Sequence, residues 1–145
     1  WPGKVKPGTV NDRLICFTDL LATFGELVGT ELSEDAGPDS FSFYKTLLGQ
    51  SEPDRPTLVI KSGSGAMTAR QGPWKLITQL GSGGFSKPSR IKATKSGPAG
   101  QLYNLDDDLE ELNNLYDQKP DVVARISTEL KRIQKNGTSR LPKTQ

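Results

Sequence analysis

An α+β fold is predicted for this chain, a small antiparallel sheet packed by a C-terminal helix. Three observations lead to it. Residues 57–61 and 66–70 are short strand-like runs on either side of the small-residue break Ser62-Gly63-Ser64-Gly65, the pattern of a hairpin. Beyond Pro120, the apolar residues Val123, Ile126, Leu130 and Ile133 recur at helical spacing. The composition is lean, with 33% apolar residues, 15 Gly and 10 Pro in 145 residues. That suits one modest, loop-rich domain better than a large α/β core.

The elements follow in order. Residues 1–9 form an extended entry with turns at Pro2-Gly3 and Pro7-Gly8. Leu14-Ile15-Cys16-Phe17 is an apolar run, expected to be a buried strand with Cys16 as a small core residue. Thr18 or Asp19 then caps a helix on which Leu20, Leu21, Phe24, Leu27 and Val28 make one stripe, and Gly29 suits its stop. With no sheet of its own to cover it, that stripe is expected to be exposed and adhesive. After a loop carrying Glu31, Glu34 and Asp35, Asp39 or Ser40 caps a short second helix. Phe43, Leu47 and Leu48 are expected to face inward from it, and Gly49 ends it. Residues 50–56 are polar, hold two prolines and are expected to be a linker.

Past the hairpin, Gln71-Gly72-Pro73 turns the chain into the apolar stretch 74–80, where Trp74 is a core residue beside Leu76 and Ile77. Residues 81–100 are rich in Gly, Ser, Lys and Pro, and a loop of that length in a compact domain is usually functional or mobile. Residues 101–105 form a short strand and residues 106–111 an acidic turn. Pro120 opens the last helix, where its missing N–H is harmless, and Asn136-Gly137 closes it.

Composition also excludes functions. A net charge of +2 provides no bulk basic field for nucleic acid. No stretch approaches the roughly 20 apolar residues of a membrane-spanning helix, and no signal-peptide pattern opens the chain. There is no histidine, so an imidazole base or histidine-ligated zinc is excluded within these residues. Cys16, the single cysteine, has no internal disulfide partner. The chain starts abruptly at Trp1 and is expected to be a piece of a longer protein.

Candidate chemistry is sparse. The acidic turn with Asp106, Asp107, Asp108, Glu110 and Glu111 lacks the alternating ligands and central glycine of an EF-hand loop. Gly81-Ser82-Gly83-Gly84 lacks the Gly-Lys-Ser/Thr of a phosphate-binding loop. The basic tract Lys87, Arg90, Lys92 and Lys95 has two readings, a solvated loop or an electropositive rim steering an anionic substrate. Lys61 and Ser62 sit at a strand end and turn mouth, where binding residues tend to lie. The candidate substrate-binding residues are therefore Lys61, Ser62, Lys87 and Arg90, with no catalytic or metal residue. Asn136-Gly137-Thr138 fits the N-glycosylation pattern, which has meaning only in a eukaryotic secretory host.

The wording of several segments resembles the sulfatase family, in its arylsulfatase-like branch and its C-terminal portion only. Trp1-Pro2-Gly3, Asn11-Asp12 and residues 18–23 are similar to the late part of that family's main domain, and Gly37-Pro38-Asp39-Ser40-Phe41-Ser42 to its Asp-Gly-x-Ser segment. Residues 69–77 resemble the hairpin of its C-terminal subdomain. Gln101-Leu102-Tyr103-Asn104-Leu105 through Asn113-Asn114-Leu115 resembles its Leu-Tyr-Asp-Leu, Asp-Pro-x-Glu, Asn-Leu series, with Leu109 where the proline is expected. Lys61-Ser62 stands where relatives often have His-Ser.

The resemblance implies a sulfuric ester hydrolase of the alkaline-phosphatase-like α/β superfamily. Such an enzyme uses calcium and a formylglycine made within a Cys/Ser-x-Pro-x-Arg motif. Cys16 is followed by Phe-Thr-Asp and does not match, so no cofactor is expected in this chain. Residues 1–50 would end the large α/β domain, residues 51–137 would form the C-terminal subdomain of sheet plus helix, and residues 138–145 a tail. The implied partners are the upstream catalytic part of the same protein and a sulfated small molecule or glycan. The implied location is periplasmic or secreted. The chain alone would be inactive. The alternative is a stand-alone binding module for sulfated or anionic glycans.

Overall fold

A computed structural model describes residues 1–33 and 35–141. Glu34, expected in the acidic loop, and the last four residues of the expected tail lie outside the described residues. The chain divides into two compact units, Trp1–Arg55 with Asn136–Gln145, and Pro56–Lys135.

The first unit contains helix α1 (Asp19–Leu27) and the single-turn helix α2 (Tyr44–Leu47). α1 ends in a Schellman motif. Gly29 takes φ +73° and donates to Glu26 O, while Thr30 N donates to Gly25 O at 2.8 Å. This left-handed position suits glycine, because a Cβ there would be strained.

Polar groups fill the interior of this unit. Asp19, 1% exposed, accepts from Cys16 N at 2.8 Å, from Phe41 N at 3.0 Å, and from the buried Arg55 guanidinium. Arg55 also donates to Asp39 O at 2.8 Å and lies over the Phe41 ring. Thr23 Oγ1 donates to Asp19 O and accepts from Phe43 N. Asp39 Oδ1 accepts from both the amide and the hydroxyl of Ser139. Phe43 is the one buried hydrophobic among the described residues of this unit. Ile15, Phe17, Leu20, Leu21, Phe24, Leu27 and Val28 are all exposed instead. The stripe on α1 is thus uncovered, as its sequence implies.

Four local expectations need correction. Residues 14–17 are irregular rather than a buried strand, with Cys16 only half-buried and Phe17 90% exposed. The cause is Asp19, whose carboxylate captures the Cys16 amide in a turn entering α1. Neither Asp39 nor Ser40 caps α2. Phe43 occupies that position, and Ser40 Oγ accepts from Ala22 N. Leu47 faces solvent. Residues 50–56 have no regular structure but are not a free linker, since Arg55 is buried and Glu52 accepts from Arg13 and Thr46.

The second unit is the predicted sheet and helix. Strands β1 (Leu58–Lys61), β2 (Met67–Gln71), β3 (Trp74–Ile77) and β4 (Gln101–Asn104) form an antiparallel sheet in sequence order. The register aligns Val59, Ala69, Leu76 and Leu102 in one row across it. α3 (Pro120–Asn136) lays Val122, Ile126 and Leu130 on that row, with Trp74, Leu115 and Tyr116 packed around it. Val122 takes the buried place expected of Val123, which is half-buried. Period-two alternation then turns Thr68, Lys75, Ile77, Gln101 and Tyr103 to the opposite face of the sheet.

Candidate functional site

The candidate residues gather at one end of the sheet, where β1 turns into β2 and the segment after β3 folds back. Ser62 is half-buried in the β1–β2 turn, and its Oγ accepts from Ala66 N at 3.1 Å. That oxygen also lies 3.0 Å from Ser64 Oγ. Ser64 is the junction of the site. Its hydroxyl donates to Gly83 O at 3.0 Å and accepts from Gln79 Nε2 at 3.1 Å, and its carbonyl accepts from Arg90 Nη2 at 3.3 Å. Arg90 Nε reaches Gln79 Oε1 at 3.4 Å. Ser62 and Arg90 are therefore joined through one serine, although 28 positions separate them (90 − 62).

Lys61 ends β1 with its side chain exposed, and Lys87 is exposed on the loop that follows Gly83. With the exposed Lys92 and Lys95 they make no ion pair among the described residues. Their charges are open to solvent and to any approaching anion. The structure thus brings Ser62 and Arg90 into one network and leaves Lys61 and Lys87 at its edges.

Two small cavities flank this network. One of about 290 Å³ is lined by Gly65, Thr78, Gln79, Arg90 and Ile91. The other, about 270 Å³, lies over the face of the sheet away from α3, lined by Ser62, Thr68, Lys75, Gly83, Gln101 and Tyr103. There Lys75 pairs with Glu111, whose backbone takes φ +59°, a left-handed conformation uncommon for a non-glycine residue. Tyr103 donates to Gln101 Oε1 at 2.7 Å. Burial raises its phenol above the usual range, and the charges of Glu111 and Asp108 push the same way. It therefore remains a protonated donor at neutral pH.

Ser64, Gln79 and the Lys75–Glu111 pair did not stand out in the sequence. Lys75 had a signal, because it alternates with the core residues Trp74 and Leu76. Ser64 and Gln79 had none, since their roles depend on long-range contacts.

The acidic turn does other work than metal binding. Asp108 accepts from the amides of Leu112 and Asn113, and Asp107 from Asn104 Nδ2. No cluster of three or more His, Cys, Asp or Glu poised to hold a metal exists among the described residues. The calcium ion implied by the sequence resemblance thus has no such group of ligands among the described residues.

No protein-family model matches the chain. An N-acetylgalactosamine-6-O-sulfatase of Bacteroides thetaiotaomicron is 31% identical over 133 residues, which cover 92% of this chain and 26% of that protein. The chain belongs to the sulfatase family. It corresponds to a C-terminal portion of such proteins and spans about a quarter of the curated relatives it matches. An ulvan-active sulfatase of Formosa agariphila is 27% identical over 137 residues, covering 79% of this chain and 27% of the relative.

A structure solved in work on the metabolism of multiple glycosaminoglycans by Bacteroides thetaiotaomicron superposes with a TM-score of 0.71 at 31% identity. It covers 93% of this chain and 28% of that one. The small antiparallel sheet with helices is thus similar to part of a solved sulfatase structure. No described helix of this sulfatase portion is long and apolar enough to cross a membrane.

Proposed function

We propose that this chain forms part of the substrate cleft of a sulfuric ester hydrolase whose reactive centre lies in an upstream part of the same protein. The observation that carries this is the 31% identity to an N-acetylgalactosamine-6-O-sulfatase over nearly the whole chain, at a quarter of that protein's length. The first unit supports it physically. A unit with a polar interior and outward-facing Phe17, Leu20, Leu21, Phe24 and Val28 has apolar surface that only further protein would cover.

On this reading residues 1–50 end the large alkaline-phosphatase-like α/β domain, residues 51–137 form the C-terminal subdomain, and residues 138–145 are a tail. Lys61, Ser62, Lys87 and Arg90 face an anionic substrate, a sulfated glycan such as a 6-O-sulfated N-acetylgalactosamine oligosaccharide. Calcium and formylglycine belong to the upstream part, and no step of ester cleavage is assigned to a residue here. The chain alone has no turnover. Assay of the isolated chain with an aryl sulfate and calcium checks this, and sulfate release above background would overturn it.

Lys61, Lys87, Lys92 and Lys95, exposed and without an ion pair among the described residues, favour one alternative, a free-standing module for anionic glycans. That reading expects salt-sensitive binding weakened by Lys87→Ala and Arg90→Ala, with no dependence on an upstream catalytic part.

A further inference from the structure

The loop between β3 and β4 begins as an ordered stem. Leu80 and Ile91 pair across it, Ile91 N donating to Leu80 O at 3.0 Å. Beyond this bridge Ser82 N donates to Pro88 O at 3.1 Å and Gly83 N to Ser89 O at 2.9 Å, cross-linking the two arms. At the stem Gly81 takes φ +92°, and a Cβ there would stand 2.8 Å from Pro88 O, so the two arms approach as only glycine allows. Ser64, Gln79 and Arg90 then tie this stem to the β1–β2 turn from the side. Within the tip, Ser82 Oγ donates to Ser86 O and accepts from Gly84 N.

At the end of this built support stands Phe85, with a relative exposure of 108%. Its ring is fully open to solvent, while two residues on Lys87 is exposed too. Isolated exposed apolar residues are ordinary on a protein surface. This one differs in that the arms on either side of it are cross-linked by backbone hydrogen bonds and by a side-chain clamp, so less of the loop has to be ordered when a ligand binds. An exposed aromatic ring two positions from an exposed cation on one loop suits a ligand with an apolar patch near a negative charge. A sulfated sugar has both, the C–H face of its ring and its ester sulfate.

We propose that Phe85 is a specificity-determining residue, stacking on the ring face of a sugar unit in a sulfated glycan while Lys87 contacts the ester sulfate. Gln79, Ser64 and Arg90 are positioning residues that hold the stem at its angle. The proposal deepens the sulfatase reading and rests on it for the ligand class. It adds to the electrostatic set a contact that salt does not screen.

The test is calorimetric titration of the longer protein that contains these residues with a 6-O-sulfated N-acetylgalactosamine oligosaccharide and with its desulfated counterpart. Phe85→Ala weakens binding of both by about tenfold, as expected for losing one face of a buried aromatic ring. Phe85→Trp stays within about twofold of the unaltered protein. Lys87→Ala weakens only the sulfated ligand. Gln79→Ala weakens both and speeds amide hydrogen exchange at Gly83 and Ile91, which Phe85→Ala leaves unchanged. Because Phe85 is fully exposed, its loss does not disturb folding.

Affinity of Phe85→Ala within twofold of the unaltered protein overturns the proposal, and so does absence of glycan binding by the unaltered longer protein. Failure of the sulfatase reading shows separately. The longer protein would then release no sulfate while the dependence of glycan binding on Phe85 persisted.

Discussion

Replacing Asp19 with Ala removes the acceptor on which the interior of the first unit converges. Its carboxylate serves three donors, the amides of Cys16 and Phe41 and the Arg55 guanidinium, and the side chains of both Asp19 and Arg55 are 2% exposed. Deleting one member of a buried ion pair strands the other charge, a loss of about 3–5 kcal/mol. The Phe41 amide adds about 1 kcal/mol, while the half-buried Cys16 recovers water. The expected loss is therefore about 4–6 kcal/mol, a large share of the stability of an ordinary domain.

Arg55→Met supplies the control. With the guanidinium absent, Asp19→Ala should cost about 2 kcal/mol or less, because no uncompensated charge remains. Urea unfolding measures both losses in a Trp74→Phe background, where Trp1, 6.5 Å from the Tyr44 ring, reports on the first unit alone. A loss under about 1 kcal/mol for Asp19→Ala, or equal losses in the two backgrounds, would show that this polar network is not what holds the unit together.

Other expectations concern the second unit. Ile126→Ala, at a fully buried position under the sheet, should lower its stability by about 2–5 kcal/mol, whereas Ile60→Ala on an exposed strand position should change it by less than about 0.5 kcal/mol in the same urea assay. Gly100→Ala would place a Cβ 2.6 Å from Ile77 O and 2.8 Å from the Tyr116 ring. Thermal unfolding should show a marked drop for it and almost none for Gly63→Ala, where nothing lies within 4 Å. Tyr103 holds its proton more tightly folded than unfolded, so its contribution is present below pH 10 and is lost as pH rises through the raised value. Tyr103→Phe should flatten that alkaline decline. Glu129, lowered by its hydrogen bond to Arg132, works in the opposite direction, contributing above pH 4.5 and fading as pH falls. Glu129→Gln should reduce the acid sensitivity of α3 in a circular-dichroism titration, by about a few tenths of a kcal/mol for this partly exposed i,i+3 pair.

Much of the second unit was legible because its signals are local. The hairpin at Ser62-Gly63-Ser64-Gly65, the alternation through Trp74 and Leu76, and the helical recurrence of Ile126, Leu130 and Ile133 each specify an element from neighbouring residues alone. The first unit was harder to read because its order comes from distant partners. Asp39 looked like a helix cap, yet its carboxylate serves Ser139, 100 positions away. Arg55 sat in a stretch that looked like linker, and only the fold brings Asp19 and Phe41 around it. The run through Cys16 looked like a buried strand because apolar residues suggest burial, and here much of the apolar surface points outward. At the candidate site Ser62 and the cationic tract were visible by residue type. Ser64 and Gln79, which join them, were not, because neither carries a spacing signal. Phe85 was not singled out either, since a lone aromatic in a Gly/Ser-rich loop has no pattern.

The decisive measurement is the nucleotide sequence lying in frame immediately upstream of the codon for Trp1. If these residues support a reactive centre supplied by the rest of the same polypeptide, that frame stays open and encodes a Cys/Ser-x-Pro-x-Arg motif. A stop codon directly preceding a start for this chain, or a long upstream frame without the motif, would contradict it.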